Sequence, residues 1–179
     1  AYESDGNTDE AIAHYIEAIE INPAYTKAYG NLGKLYTENQ EYKLAEDILK
    51  TIIQIDAGYA DGFMRLGLLY IEQEKFELAA ENLVMATSLD EKDYFKFFNL
   101  AAAYNQLKQW ENATSAAQSC VDLNQKFGGG WLEFGLAEMG RRNKTRAKKY
   151  FDEARKDRDW REMAERKIDE INNPEKYEK

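Results

Sequence analysis

The sequence repeats itself every 34 residues, and this period restricts the fold more than any other feature. In each period, an aromatic residue is followed at i+3 and i+4 by a large apolar and a small residue, and then by a position at i+7 that is aromatic in three periods of four. The four sets are Tyr29, Leu32, Gly33 and Tyr36; Phe63, Leu66, Gly67 and Tyr70; Phe97, Leu100, Ala101 and Tyr104; Trp131, Phe134, Gly135 and Glu138. This spacing places each set on one face of an α-helix. A fixed period of this length is typical of repeat architectures.

A second helical pattern follows the first within each period. Its positions lie 16, 20 and 23 residues after the first aromatic residue, and they read Ala45, Leu49 and Ile52; Ala79, Leu83 and Ala86; Ala113, Ala117 and Cys120; Ala147, Phe151 and Ala154. Each period therefore predicts a pair of helices. Small residues fall where the two helices would cross, and a helical glycine costs about 1 kcal/mol relative to alanine. We expect close packing of the two helices to compensate for that cost.

The two patterns together resemble the tetratricopeptide repeat (TPR), whose signature is W-x2-L-G-x2-Y, then A-x3-F, then proline, at a period of 34. Glu138 and Ala117 depart from this signature, and Pro23 is the one terminal proline that remains. The resemblance implies an all-α fold, a right-handed α-solenoid of stacked antiparallel helix hairpins (the TPR superhelix). It also implies a non-catalytic scaffold for protein–protein interaction.

The period divides the chain into a half repeat, four full repeats, a last amphipathic helix and a tail. The predicted boundaries are 1–25, 26–59, 60–93, 94–127, 128–159, 160–172 and 173–179. The segment 160–172 is predicted to cap the array, because terminal repeats need a polar outer face. The half repeat places Tyr2 in the second aromatic position. We therefore expect the chain to be part of a longer protein, with an open N-terminal face able to self-associate; the exposed residues there would be Ile12, Ile16 and Ile19.

In TPR arrays the first helix of each hairpin lines a concave groove, and the resemblance implies the same here. The residues predicted to face this groove and bind a peptide are Asn31, Met64, Arg65, Leu68, Phe95, Phe98, Asn99, Leu132 and Leu136. After residue 64 the row becomes increasingly apolar. Two interpretations stay open: a groove for an amphipathic helix or extended peptide, or apolar residues that adjacent first helices bury against each other.

A polar line of Asn31, Arg65 and Asn99 runs along the same first helices. Asn31 and Arg65 match two places in the two-carboxylate clamp of TPR proteins that hold acidic C-terminal tails. Asp61, however, stands where that clamp would need a lysine. Because Asp61 would repel a carboxylate, the acidic-tail interpretation is disfavoured. The polar line remains a candidate for hydrogen bonds to a ligand backbone.

Charge is distributed unevenly. Residues 1–139 carry 10 Lys and Arg against 23 Asp and Glu, a net −13, whereas residues 140–179 carry 14 against 10, a net +4; the sum is the −9 of the whole chain. The acidic part argues against nucleic-acid binding. The basic run at 141–149 is interpreted mainly as a solvated face. The three glycines at 128–130 are interpreted as a loose connection, with a hinge or room for a ligand as alternatives.

The sequence contains no pattern that indicates catalysis. His14 has no second histidine with which to hold a metal or form a triad, and Cys120 occupies a packing position where it should be buried and inert. No phosphate-binding loop is present, so no cofactor is predicted. No apolar run approaches the length of a membrane span, and a cytoplasmic location is favoured over a secreted or periplasmic one.

The predicted function is a scaffold that binds a peptide or helix of a partner protein in the groove. Two alternatives remain open. One is an oligomerisation or assembly module that uses the open N-terminal face, and the other is a substrate-recruiting appendage of an enzyme whose catalytic domain lies outside this chain.

Overall fold

A computed structural model describes residues 6–177, and side chains from residue 8 onward. These residues form ten α-helices and one 3₁₀ turn at Pro174–Lys176, with no strand among them. The helices are α1 (Gly6–Ile21), α2 (Thr26–Glu38), α3 (Tyr42–Ile55), α4 (Ala60–Glu72), α5 (Phe76–Leu89), α6 (Tyr94–Gln106), α7 (Trp110–Leu123), α8 (Gly128–Gly140), α9 (Lys144–Ala154) and α10 (Arg161–Asn172). The predicted place of Tyr2 lies outside the described residues.

The 34-residue period reappears in the helix boundaries. The first helices α2, α4, α6 and α8 begin at residues 26, 60, 94 and 128, and the second helices α3, α5, α7 and α9 begin at 42, 76, 110 and 144. The turn inside each hairpin holds one residue with positive φ, namely Gln40 (61°), Glu74 (55°), Lys108 (57°) and Arg142 (62°). The next amide donates to a carbonyl five residues back, as in Glu41 N to Tyr36 O at 2.8 Å. This left-handed residue ends each first helix and starts the return of the chain.

The chain forms two compact units, with the boundary between Asp90 and Glu91. In the first unit, α1 packs on α2, the hairpins α2/α3 and α4/α5 pair internally, and α4 also contacts α2 and α3. In the second unit, α6/α7 and α8/α9 form the hairpins, α8 contacts α6 and α7, and α10 packs on α9. In both units, consecutive first helices lie side by side.

Small residues occupy the helix crossings, as the sequence predicted. A Cβ added at Gly67 would lie 2.6 Å from Leu83 Cγ, and one added at Gly135 would collide with the Phe151 ring. Both of these large side chains are fully buried. The close approach of the two helices therefore requires glycine wherever the second helix supplies a large residue.

The glycines at 128–130 are not a loose connection, and that interpretation was wrong. They form the first turn of α8 and are buried. A Cβ added at Gly128 would lie 2.6 Å from Asp157 Cβ. One added at Gly129 would lie 2.8 Å from the Trp160 ring, and one added at Gly130 would lie 2.7 Å from Cys120 Sγ. The first glycine also donates its N–H to Asp157 Oδ2 at 2.8 Å. The run is a packing surface, because neighbouring elements fill the space that side chains would take.

The last helix, α10, continues the repeat frame. Its buried Ala164 lies 34 residues after Gly130, and it joins a core that includes Leu132 and Phe151. At the next crossing position, 34 residues after Gly135, the chain carries Asp169. Asp169 is charged, unlike the small residues at the other crossings, and the capping role of 160–172 stays a prediction.

No helix among residues 6–177 is long and apolar enough to cross a membrane.

Candidate functional site

The predicted groove residues of the first unit lie on the first helices α2 and α4. Asn31, Met64, Arg65 and Leu68 are all partly exposed. Two of them, Arg65 and Leu68, line a cavity of about 220 Å³ between these helices. We call this the α2–α4 cavity, and its walls are formed by Lys34, Thr37, Glu38, Leu49, Arg65, Leu68, Leu69, Ile71 and Glu72.

Charged side chains line part of the α2–α4 cavity. Arg65 lies across Gly30, where an added Cβ would be 2.9 Å from Arg65 Nε. That Nε is buried and has no hydrogen-bond partner among the described residues. Lys34 and Glu38 form an exposed ion pair at 3.4 Å. Charges of both signs therefore line this cavity, and a buried donor without a partner belongs to one of its lining residues.

A second cavity of about 370 Å³ lies between α6 and α8 in the second unit. We call it the α6–α8 cavity, and it is lined by Asn105, Gln106, Trp110, Leu136, Met139 and Gly140. Five of these six residues lie 68 residues, or two periods, after a residue that lines the α2–α4 cavity: Thr37 and Asn105, Glu38 and Gln106, Leu68 and Leu136, Ile71 and Met139, Glu72 and Gly140. Each unit thus holds the same cavity at the last turns of two consecutive first helices.

A buried carboxyl group stands beside the α6–α8 cavity. Asn105 Nδ2 donates to Glu133 Oε2 at 2.8 Å and to the Glu133 backbone oxygen at 3.0 Å. Burial raises the pKa of Glu133 to about 7, although the Asn105 hydrogen bond acts in the opposite direction. Glu133 occupies the same repeat position as Asn31, Arg65 and Asn99. The polar line of the sequence therefore has a fourth member, whose charge changes near neutral pH.

Two predicted groove residues are buried and do not line an accessible groove. Leu132 is 1% exposed and belongs to the core that α8, α9 and α10 share, because α10 covers that side of the hairpin. Asn99 is 5% exposed, and its Nδ2 donates to the Phe95 backbone oxygen at 2.7 Å. For these two positions, burial within the helix layer replaces the predicted exposure.

Phe95 and Phe98 belong to an aromatic cluster. The Phe98 ring centroid lies 5.1 Å from that of Phe127 and 5.5 Å from that of Trp160, and both pairs are edge-to-face. Phe95 packs on Phe98 at 5.6 Å but is 39% exposed. The cluster joins α6 to the segments before α8 and α10, so Phe98 contributes to packing and Phe95 forms the cluster's exposed edge.

Cys120, His14 and the basic run at 141–149 were the residues considered for catalysis or charge recognition, and their surroundings are as follows. Cys120 is fully buried, and burial raises the pKa of its thiol to about 12, with smaller contributions from nearby carboxylates. The His14 side chain is 80% exposed beside Glu17. In the basic run, Arg141 and Arg146 pair with the buried Glu138, at 3.2 and 3.8 Å. Part of that basic run therefore neutralises a buried carboxylate.

Sequence reasoning missed the residues that complete the two cavities. Thr37, Glu72, Asn105, Trp110 and Gly140 were not among the predicted groove residues. The signal was present in the repeat frame, because both cavities lie at the C-terminal end of the packing signature, in the last turns of the first helices.

Comparison with known sequences agrees with the repeat pattern. Residues 3–64 and 60–93 each match the tetratricopeptide repeat, so the two matches together span residues 3–93, about half of the chain. The chain belongs to the tetratricopeptide repeat family.

Solved structures share the fold at low sequence identity. The crystal structure of MamA is 23% identical with a TM-score of 0.74, and the match covers 83% of this chain and 87% of that one. Pseudomonas aeruginosa pilF is 22% identical with a TM-score of 0.74, over 93% and 85% of the two chains. YrrB, described as a TPR protein with an unusual peptide-binding site, is 22% identical with a TM-score of 0.70, over 83% and 77%. These similarities establish the fold.

One curated protein matches over a short stretch. It is the probable UDP-N-acetylglucosamine–peptide N-acetylglucosaminyltransferase SPINDLY of Oryza sativa subsp. japonica, 48% identical over 40 residues. That stretch is 22% of this chain and 4% of the rice protein. The similarity is therefore confined to about one repeat.

Proposed function

We propose that this chain is a protein-interaction scaffold that binds an extended peptide or a helix of a partner along its first helices. The binding surface in each unit is the groove that contains the α2–α4 or the α6–α8 cavity. Stacked hairpins hold such a surface in place before binding, so little ordering of the scaffold opposes association.

The recurrence of one cavity at the same repeat position in both units supports this proposal. Both cavities are built from equivalent repeat positions, although the side chains at those positions differ, so the first-helix groove has a recess in each unit. The cavities also contain the predicted residues Arg65, Leu68 and Leu136, which are partly exposed. A YrrB structure with a similar fold is described as having a peptide-binding site, which makes a peptide the first ligand to test.

The assembly and appendage alternatives remain predictions. The similarity to a probable transferase covers 40 residues, or 4% of that protein. A recruiting role beside an enzyme would use the same grooves, so the test below applies to it as well.

Two single substitutions test the grooves, and each introduces a residue that another repeat of this chain carries at the same position. Leu68→Lys and Leu136→Lys each introduce the residue that Lys34 supplies at the equivalent position of the first full repeat. A peptide selected from a displayed random library on the wild-type chain is then titrated by fluorescence polarisation. Loss of one buried leucine contact is worth about 1.5–3 kcal/mol, so we expect at least one variant to bind about 10- to 100-fold more weakly.

The matched control is Leu78→Asn on the second helix α5. Leu78 is 41% exposed, and Asn112 stands at the equivalent position one period later. This control should bind the peptide like the wild type, and thermal unfolding followed by circular dichroism checks that all three variants fold. Unchanged affinity in both lysine variants, or a loss in the control alone, would show that the first-helix grooves are not the binding site.

A further inference from the structure

We infer that the carboxyl group of Glu133 on α8, when protonated, donates its O–H to Asn105 Oδ1 on α6, and that loss of this proton loosens α6 against α8. We call these two side chains the Glu133–Asn105 pair. The pair would make the second unit sensitive to pH. It needs no ligand, so it stands apart from the proposed function.

Two oxygen atoms of Glu133 fix the orientation of the Asn105 side-chain amide. Asn105 Nδ2 donates to Glu133 Oε2 at 2.8 Å and to the Glu133 backbone oxygen at 3.0 Å. Turning the amide over would place Oδ1 against these same two oxygens, and none of the three would supply a hydrogen. In the observed orientation Oδ1 is buried, and it has no hydrogen-bond partner among the described residues. The amide is therefore held with its own acceptor unsatisfied.

The Glu133 carboxyl can satisfy Asn105 Oδ1 only when it is protonated. Buried acceptors normally have a donor, and this oxygen is too enclosed for water to supply one. An ionised carboxylate accepts on both oxygens, whereas a carboxylic acid has one O–H donor as well. A carboxylic acid and an amide can therefore exchange one N–H···O and one O–H···O hydrogen bond. The unsatisfied oxygen thus favours the acid form of Glu133.

No basic side chain forms an ion pair with Glu133 among the residues that the structure describes. α8 contacts α6, α7 and α9. At the start of α6, Lys96 is buried and pairs with Asp93 at 2.6 Å. Tyr104 on α6 has a pKa raised by burial, and burial raises the pKa of the Cys120 thiol on α7 to about 12. These two groups are therefore neutral wherever Glu133 titrates.

The arginines beside α8 pair with a different carboxylate. Arg146 on α9 lies 3.8 Å from Glu138, and Arg141 at the end of α8 lies 3.2 Å from it. Without a cation of its own, Glu133 is dominated by burial, which raises its pKa to about 7 against the opposing effect of the Asn105 hydrogen bond. The geometry and the pKa therefore agree that Glu133 carries a proton below neutral pH.

Deprotonation would leave two acceptors beside each other. The carboxylate would keep the N–H of Asn105, but Asn105 Oδ1 would lose its donor and the buried charge would lack hydration. Because Asn105 lines the α6–α8 cavity, a displacement of the last turn of α6 would let water reach the carboxylate. The equivalent residues of the first unit are Thr37 and Arg65, and an arginine keeps its proton throughout this range. The response would therefore be confined to the second unit.

An NMR titration of the ¹³C,¹⁵N-labelled chain from about pH 5 to pH 9 tests the pair. We expect the Glu133 Cδ, the Asn105 side-chain amide and the backbone amides in the last turn of α6 to change together, with a midpoint near pH 7. The one histidine of the chain, His14, is 80% exposed on α1 in the first unit. Its titration does not explain a change centred on Glu133.

Glu133→Gln replaces the O–H by an N–H and so mimics the protonated carboxyl at every pH. Its α6 and α8 amide shifts should match those of the wild type at the acid end and stay constant through the titration. One hydrogen of the introduced amide should exchange with D₂O more slowly than those of the exposed Gln54, because it donates to Asn105 Oδ1. The matched control Glu165→Gln removes an exposed carboxylate from α10 and should keep the wild-type titration.

A Glu133 midpoint near 4.5, the ordinary value for a glutamate, would overturn the inference. So would α6 shifts that do not follow Glu133, a Glu133→Gln spectrum that resembles the wild type at the alkaline end, or an introduced amide that exchanges as fast as Gln54. The wild-type titration decides the question even if the variant does not fold. Failure of the proposed function looks different, because a chain that retains no library peptide can still show the full titration.

Discussion

Replacing Gly67 with alanine is expected to destabilise the chain, although alanine is the better helix former. The new Cβ would lie 2.6 Å from Leu83 Cγ and 2.9 Å from its Cδ2. Leu83 is fully buried, so it can move away from the new Cβ only by displacing other core side chains. Overpacking of this kind costs about 1–3 kcal/mol, which exceeds the propensity gain of about 1 kcal/mol over most of that range. Urea unfolding followed by circular dichroism measures the difference.

A double-mutant cycle tests whether the two residues form a matched pair. Leu83→Ala alone should cost about 2–5 kcal/mol, because it leaves a cavity. The double variant recreates the pair Ala101 and Ala117, which the third full repeat already uses and buries completely or nearly so. Its destabilisation should therefore fall short of the sum of the single effects by about 1 kcal/mol or more.

The control for the cycle is Gly30→Ala on the first helix α2. Here the nearest atom to an added Cβ is Arg65 Nε, part of a long and flexible side chain, at 2.9 Å. We expect this substitution to be neutral or stabilising. Additive effects at Gly67 and Leu83, or equal costs at Gly30 and Gly67, would contradict the matched-pair account.

Glu133→Gln is expected to stabilise the chain at neutral and alkaline pH and to leave it nearly unchanged in acid. Burial raises the pKa of Glu133 from 4.5 to about 7. As pH rises from about 4.5, the unfolded chain releases this proton while the folded chain keeps it, so stability falls until about pH 7 and then levels off. The shift corresponds to about 3 kcal/mol. Glutamine keeps an oxygen to accept the Asn105 hydrogen bond and carries no charge to desolvate.

Urea unfolding of both proteins across this pH window measures the effect. The stability difference should grow from near zero at the acid end to about 3 kcal/mol at the alkaline end. The matched control is Glu138→Gln on the same helix, where the buried carboxylate is paired with Arg141 and Arg146. That substitution removes two ion pairs and should not stabilise the chain. A pH-independent difference at Glu133 would show that its carboxyl is not kept protonated by burial.

The hairpins and their crossings were predictable because the same spacing of apolar and small residues occurs in each of the four full repeats. Four occurrences of one spacing define helix faces that single-helix propensity would leave ambiguous. The start of each helix at 34-residue intervals follows from that pattern. The role of the crossing glycines was also predictable. A glycine inside a helix is unfavourable, so its recurrence at one position indicates that two helices pack closely there.

The site was only partly predictable, because exposure depends on which helix comes next. Leu132 shares the groove-facing row with Leu136, yet α10 buries the former and leaves the latter beside a cavity. A charged side chain at Leu132 would therefore test folding and not binding. The glycines at 128–130 were misread for the same reason: in sequence they indicate flexibility, and the elements that fill the space above them are distant along the chain.

The central claim is that the grooves between consecutive first helices bind a peptide. Backbone amide chemical shifts of the ¹⁵N-labelled chain, recorded with and without the library-selected peptide, test it most directly. The account predicts the largest changes in the last turns of α2 and α4, or of α6 and α8, around the two cavities. Changes concentrated on the second helices α3, α5, α7 and α9, or on α1, would contradict it.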